Sequence, residues 1–169
     1  MTIIIDNVKP RKQNTNYTCG PGSLRTIFHF YGYDIPEKDL IFTGEIEEDG
    51  TSHQQMRKIA RTYKFKFYSK SDATLDDLKF WLKRDCPVIV DYQDYDYGKL
   101  DGHSGHYAVV YGIDDHFVYI SDPANYEDGD GKKFANNKKM EIENFMKRWF
   151  DLDEKQHNIK RWFAVVRPK

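Results

Sequence analysis

Along the 169 residues the hydrophobic period changes once, and that change limits the fold more than any other feature. Up to about Lys83 the apolar residues recur mainly at three- and four-residue intervals, the period of a helix with one buried face. Leu24, Ile27, Phe28 and Tyr31 predict a helix from about Gly20 to Tyr31, stopped by Gly32. Pro36 to Phe42 reads as a short helix. Met56, Ile59, Ala60 and Tyr63 predict one over 51–63, and Leu75, Leu78, Trp81 and Leu82 one over 75–83. Past Pro87 the apolar residues fall in short strand-like runs: Val88 to Tyr92, Gly105 to Ile113 and Phe117 to Ser121. Short strands at Ile3 to Ile5 and Phe65 to Tyr68, a late amphipathic helix from Met140 to Phe150 and a closing strand from Trp162 to Val166 complete the pattern. Helices first and strands later predict an α+β fold, with a helical N-terminal half packed on an antiparallel sheet. No repeat or linker interrupts the chain, so residues 1–169 are expected to form a single domain.

Composition excludes several classes of function. The formal net charge is −1, so no global field favours nucleic acid or an anionic membrane. The runs Lys132-Lys133 and Lys138-Lys139 read as solvated surface. No stretch approaches the roughly 20 apolar residues of a membrane span, and the N-terminus lacks the pattern of a signal peptide. Two cysteines, Cys19 and Cys86, are too few for a disulfide framework. A reducing, cytoplasmic location is the default expectation.

The two cysteines differ in setting. Cys86 precedes Pro87 and Val88-Ile89-Val90 and reads as a small core residue. Cys19 lies in Tyr17-Thr18-Cys19-Gly20-Pro21-Gly22, where a polar loop meets the first helix. A helix N-terminus presents unpaired N–H groups and a positive dipole end, which favour an anion such as thiolate. Gly20 and Gly22 would let a substrate backbone approach, and Pro21 suits a first helical turn. A structural cysteine beside a turn is the competing reading.

A nucleophilic thiol needs a base. Of six histidines, His29 falls inside the first helix, His53 near a helix start, His116 in a turn and His157 in a polar stretch. His106 opens the run His106-Tyr-Ala-Val-Val-Tyr-Gly-Ile113. If Asp114 centres a three-residue hairpin loop, Val110 faces Val118 and His106 faces Asp122, within reach of a carboxylate–imidazole hydrogen bond. A one-residue slip would send Asp122 to the other face, so a two-residue turn would need a compensating bulge. Pro123 is expected to end the strand ladder. Acyl transfer also needs donors for the developing oxyanion. The N–H of Cys19 is one, and the side-chain amide of Gln13, Asn14 or Asn16 is a second.

These residues together resemble the peptidase C39-like family of papain-like cysteine proteases. The resemblance lies in Gln13 followed six residues later by Cys19-Gly20-Pro21, in Ser23-Leu24 and the helix ending near Tyr31-Gly32, and in Gly50-Thr51 opening a helix. It continues through Cys86-Pro87-Val88-Ile89-Val90, Gly105 to Ile113, Ser121-Asp122-Pro123-Ala124 and the helix over Phe145 to Trp149. It covers about residues 10 to 167. It implies a papain-like fold with the cysteine on the central helix. It further implies Cys19 as nucleophile, His106 as general base and acid, Asp122 as its orienter and Gln13 as oxyanion donor. Members fused to export transporters cleave leader peptides after a double glycine; this chain is similar to the stand-alone members.

The expected function is a thiol hydrolase that cleaves peptide or amide bonds through an acyl-enzyme, with a peptide or protein as substrate and no cofactor. The alternatives are an acyltransferase of the same fold and a catalytically silent peptide-binding module. Asp91 to Asp101, rich in aspartate and tyrosine, reads either as a cleft rim suited to a basic substrate or as a solvated loop. No metal is expected: Asp128-Gly129-Asp130-Gly131 lacks calcium-loop spacing, and His103 and His106 with Cys19 lack a further zinc-ligand pattern.

Overall fold

The computed structural model describes residues 1–94, 100–127 and 133–169. The elements run β1 (Ile3–Ile4), α1 (Cys19–Phe30), α2 (Glu37–Gly44), α3 (His53–Thr62), β2 (Phe65–Lys70), α4 (Leu75–Leu82), β3 (Val88–Gln93), β4 (Gly105–Ile113), β5 (Phe117–Glu127), β6 (Lys133–Glu141), α5 (Ile142–Arg148), β7 (Phe150–Leu152), β8 (Asn158–Lys160) and β9 (Phe163–Pro168). The α+β organisation is as expected. All pairings are antiparallel, in the order β2-β9-β3-β4-β5-β6, with β1 extending the β3 side of β4. A separate β7–β8 hairpin follows α5.

The helical period predicts α1, α3 and α4 because their apolar stripes do enter the core. Leu24, Ile27, Phe28, Met56, Ile59 and Leu78 are fully buried. Val88, Ile89 and Val90 are buried as consecutive residues, so both faces of β3 are covered, which suits a central strand. Capping boxes at Ser52 and Thr74 start α3 and α4. α1 starts without a side-chain cap, and Cys19 is its first residue.

Two expectations about strands fail for a local reason. β5 runs through Pro123 to Glu127 rather than ending at Ser121, its pairing with β6 becoming irregular between Asp122 and Tyr126. Proline is tolerated where the ladder is already broken. The β4–β5 hairpin also has a different register. The Asp114 carboxylate accepts the N–H groups of His116 and Phe117, each at 2.7 Å, so Asp115-His116 forms the tip. Ile113 then pairs with Val118 and Gly112 with Tyr119. Beyond a bulge at Tyr111, Val110 pairs with Ile120 and Val109 with Ser121. The strands β6, β7 and β8 carry few apolar residues and escape the period altogether.

Burial separates two phenylalanines that composition cannot. Phe28 is fully buried against Phe65 and Tyr63, whereas Phe42 is 85% exposed. Phe28→Ala is expected to lower unfolding free energy by about 3–5 kcal/mol, and Phe42→Ala to change it by no more than about 0.5 kcal/mol. Urea unfolding of both variants checks the contrast.

Candidate active site

α1 lies against β4 and β5, and this packing carries Cys19 to the start of β4. Two glycines permit it, but not by admitting a substrate. A Cβ on Gly20 would stand 2.7 Å from the Cβ of Thr51, and one on Gly22 would stand 2.8 Å from the Cβ of Pro123 and 3.3 Å from that of Gln13. The first turn of α1 is thus seated on the α3 approach, the Gln13 loop and the residue after Asp122. The Gln13 N–H donates to the Pro123 carbonyl at 2.8 Å, which ties the loop to β5.

His106 and Asp122 meet, although they are not directly opposite as the three-residue loop required. Continuing the Val109–Ser121 pairing by one residue sets Asp122 across from Ala108, diagonal to His106 on the same face. His106 Nε2 and Asp122 Oδ1 are 2.7 Å apart. Asp122 is fully buried and His106 is 8% exposed. The side chain of Cys19 is near enough to act on the His106 ring. Cys19 is partly exposed, and Cys86 is buried as expected.

The electrostatics follow from these contacts. Burial alone would draw the His106 imidazole down, but the hydrogen bond and charge of Asp122, together with the neighbouring Cys19 side chain, carry it well above its ordinary value. Burial alone would raise Asp122, but the His106 hydrogen bond and charge, aided by Lys138, hold it well below the usual carboxylate range. The site therefore favours a protonated imidazole against an ionised carboxylate.

Gln13 is buried in the loop before α1. Its Nε2 donates to the Thr15 carbonyl at 2.7 Å, and its Oε1 is buried with no hydrogen-bond partner among the described residues. Asn14 is turned away, its amide Nδ2 donating to Glu37 at 2.6 Å.

Sequence reasoning missed two groups. Lys138, taken as solvated surface, reaches inward from β6 to Asp122 Oδ2 at 2.7 Å and Asp94 Oδ1 at 2.9 Å. Strand β6 was not foreseen, so nothing assigned Lys138 to an inward face. The second group adjoins α1. Asp91, Tyr92 and Gln93 are strand residues buried in β3 rather than a solvated loop, while 95–99 lie outside the described residues. Asp91 feels the neighbouring Asp151 carboxyl and lies 2.8 Å from His53 Nε2. His53 stacks on Trp162 with ring centroids 3.8 Å apart. His53, Asp91 and Asp151, with Thr51 and Tyr107, wall a cavity of about 700 Å³. Desolvation holds His53 down to about 4 and pushes Asp91 and Asp151 each up to about 7, Asp151 also feeling the charge of Asp91. The His53–Asp91 contact is then a hydrogen bond rather than an ion pair.

For a metal, Asp94, His106 and Asp122 offer three ligand atoms within 4.8 Å of one another. The Lys138 ammonium sits against both carboxylates and supplies the positive charge there. The Asp128 to Gly131 stretch lies outside the described residues. Among the described residues no helix is long and apolar enough to cross a membrane.

The Peptidase_C39 like family matches residues 5–156. The chain belongs to that family. An uncharacterized protein of Methanothermobacter marburgensis is 27% identical over 113 residues, covering 67% of this chain and 70% of its own. Two solved structures share the fold of this C39-like chain. The peptidase domain of Streptococcus ComA, a bi-functional ABC transporter involved in a quorum-sensing pathway, is 21% identical with a TM-score of 0.69, covering 96% of this chain and all of its own. A double glycine motif protease from an AMS/PCAT transporter, in complex with its leader peptide, is 18% identical with a TM-score of 0.69, covering 100% of this chain and 99% of its own. At these identities the likeness establishes the papain-like fold.

The Asp91–Asp151 carboxyl pair of the C39-like chain gives a pH signature of unusual sign. Asp91 and Asp151 keep protons in the folded state up to about pH 7, whereas an unfolded aspartate releases its proton near about 3.9. Between those limits the folded chain binds more protons, so these groups lower stability as pH rises. Asp91→Asn removes one carboxyl and relieves the other. Its stability relative to wild type is expected to improve from pH 4.5 to pH 7 and to level off above, as urea unfolding across that range would measure.

Proposed function

We propose that the chain is a cysteine peptidase or amidase, with Cys19 as nucleophile, His106 as general base and acid, Asp122 as the residue that orients His106, and Gln13 with the Cys19 N–H as oxyanion donors. One observation carries the reading. The buried His106 ring is hydrogen-bonded to Asp122 through Nε2 and feels the side chain of the first residue of a helix, which is a cysteine. Family membership supports the same reaction class.

The chemistry is acyl transfer. The Cys19 sulfur, its proton on His106, attacks the carbonyl carbon of the substrate, and the carbonyl oxygen becomes an oxyanion facing the Cys19 N–H and the Gln13 amide. As the intermediate collapses, the C–N bond breaks and His106 gives its proton to the leaving nitrogen. A water molecule then loses its proton to His106, attacks the thioester and releases the acid. Asp122 fixes the tautomer that presents the other ring nitrogen to sulfur. The neighbour whose structure holds a leader peptide supports a peptide as substrate.

A peptide library incubated with the protein tests this. Wild type is expected to yield discrete cleavage products, and Cys19→Ala none. Gln13→Ala should lower kcat by about 10²–10³. Products of equal yield from Cys19→Ala, with Cys86 intact, would refute the assignment.

A further inference from the structure

We propose that Lys138 is a positioning residue for this reaction: its ammonium holds the Asp122 carboxylate aimed at His106 while the imidazole gains and loses its proton. The inference rests on the cysteine-hydrolase reading. It starts from how Asp122 is bound. Oδ1 accepts from His106 Nε2 at 2.7 Å and from the Ala124 N–H at 2.8 Å, while Oδ2 meets Lys138 Nζ at 2.7 Å. Asp122 has no solvent exposure, so protein groups must replace all of its hydration.

In the reaction the imidazolium becomes neutral when its proton passes to the leaving group. At that moment Asp122 would be a buried anion with a neutral partner, and such an anion takes up a proton or turns toward water. An Asp122 that has done either no longer accepts from Nε2–H. Lys138 carries a charge that the cycle does not consume, and it touches the oxygen that His106 does not use. Burial alone would weaken that charge, but Tyr92, Asp122 and Asp94 raise the ammonium well above its ordinary range.

The fold builds this arrangement across adjacent strands. Tyr92 on β3 pairs with His106 on β4, Asp122 lies diagonal to His106 on β5, and Lys138, which pairs with Ile120, lies diagonal to Asp122 on β6. Asp94, just past β3, anchors Lys138 from the other side and accepts from the Tyr92 hydroxyl at 3.2 Å. Among the described residues, the charged and titratable groups gathered about Lys138 include Tyr92, Asp94 and Asp122, with His106 one carboxylate away.

Alkylation of Cys19 by iodoacetamide reads this without a peptide substrate. Its rate is followed against pH, with Cys19 resolved from Cys86 by peptide mass. Lys138→Met is expected to move the half-maximal pH upward by about one unit, with a slower rate at pH 7, while the circular-dichroism spectrum is retained. Asp122→Asn should shift it likewise, and the double variant no further than Asp122→Asn alone, because both act through one carboxylate. Lys138→Arg, which keeps the charge, should recover most of the shift. If Lys138→Met does not fold, Lys138→Gln is read in its place. An unmoved profile in the Lys138 variants, or a full additional shift in the double variant, overturns the inference. If His106 and Asp122 variants shift the profile and Lys138 variants do not, this inference alone fails. If His106→Ala alkylates like wild type, the cysteine–histidine reading fails and this inference with it.

Discussion

The bulge at Tyr111 decides which side of the sheet Asp122 faces. At the hairpin tip Ile113 pairs with Val118 and Gly112 with Tyr119. Carried on unchanged, that register would set Asp122 opposite Val109, on the face away from His106. The extra residue shifts the pairing by one, to Val110–Ile120 and Val109–Ser121, and parity then returns Asp122 to the His106 face. The bulge is itself secured, since the Ile5 N–H donates to the Tyr111 carbonyl at 2.8 Å. The residue just past β1 thus helps hold a distant register by supplying the donor for that carbonyl.

Once Asp122 faces the core side it must be neutralised, and the surrounding packing follows from that need. His106, the Ala124 N–H and Lys138 surround the carboxylate. Pro123, next in sequence, packs where Gly22 has no side chain, and its carbonyl receives the Gln13 N–H. A single stretch of β5 therefore aligns the candidate orienting residue, the first turn of the nucleophile helix and the candidate oxyanion loop. Displacing β5 by the width of a methyl group at Gly22 would disturb all three together.

Much of this was legible in the sequence, and the reasons differ by element. α1, α3 and α4 follow the helical period because each turns one face to a core that excludes water. Cys19, His106 and Asp122 could be singled out because their neighbours are informative: a glycine-proline helix start, a long apolar strand and an aspartate before proline; Gln13 was separated from Asn14 and Asn16 only by the family resemblance. The hairpin register was not legible, since it depends on the Asp114 carboxylate capping its own turn, a choice that apolar periodicity does not record. Lys138 was hidden for a different reason. A lysine beside another lysine in Asn136-Asn137-Lys138-Lys139 reads as surface, and only the partner strand reveals that alternate residues point inward. Asp91 was placed in its strand but its burial was not foreseen, since an acidic residue at the end of an apolar run looks solvent-facing.

The contrast between Asp91 and Asp122 shows what surroundings do to one chemical group. Both are buried carboxyls of the central sheet, each within hydrogen-bond distance of a histidine. Asp122 faces two cationic groups and is held well below the carboxylate range, whereas Asp91 faces a second carboxyl and a histidine kept neutral by burial and is pushed up to about 7. A histidine–aspartate contact therefore does not identify a base and its orienter by itself. The distinguishing element is the countercharge: with Lys138 on the far oxygen, Asp122 remains an anion that can stabilise an imidazolium. Asp91, having Asp151 as its neighbour, is placed to hold a proton instead.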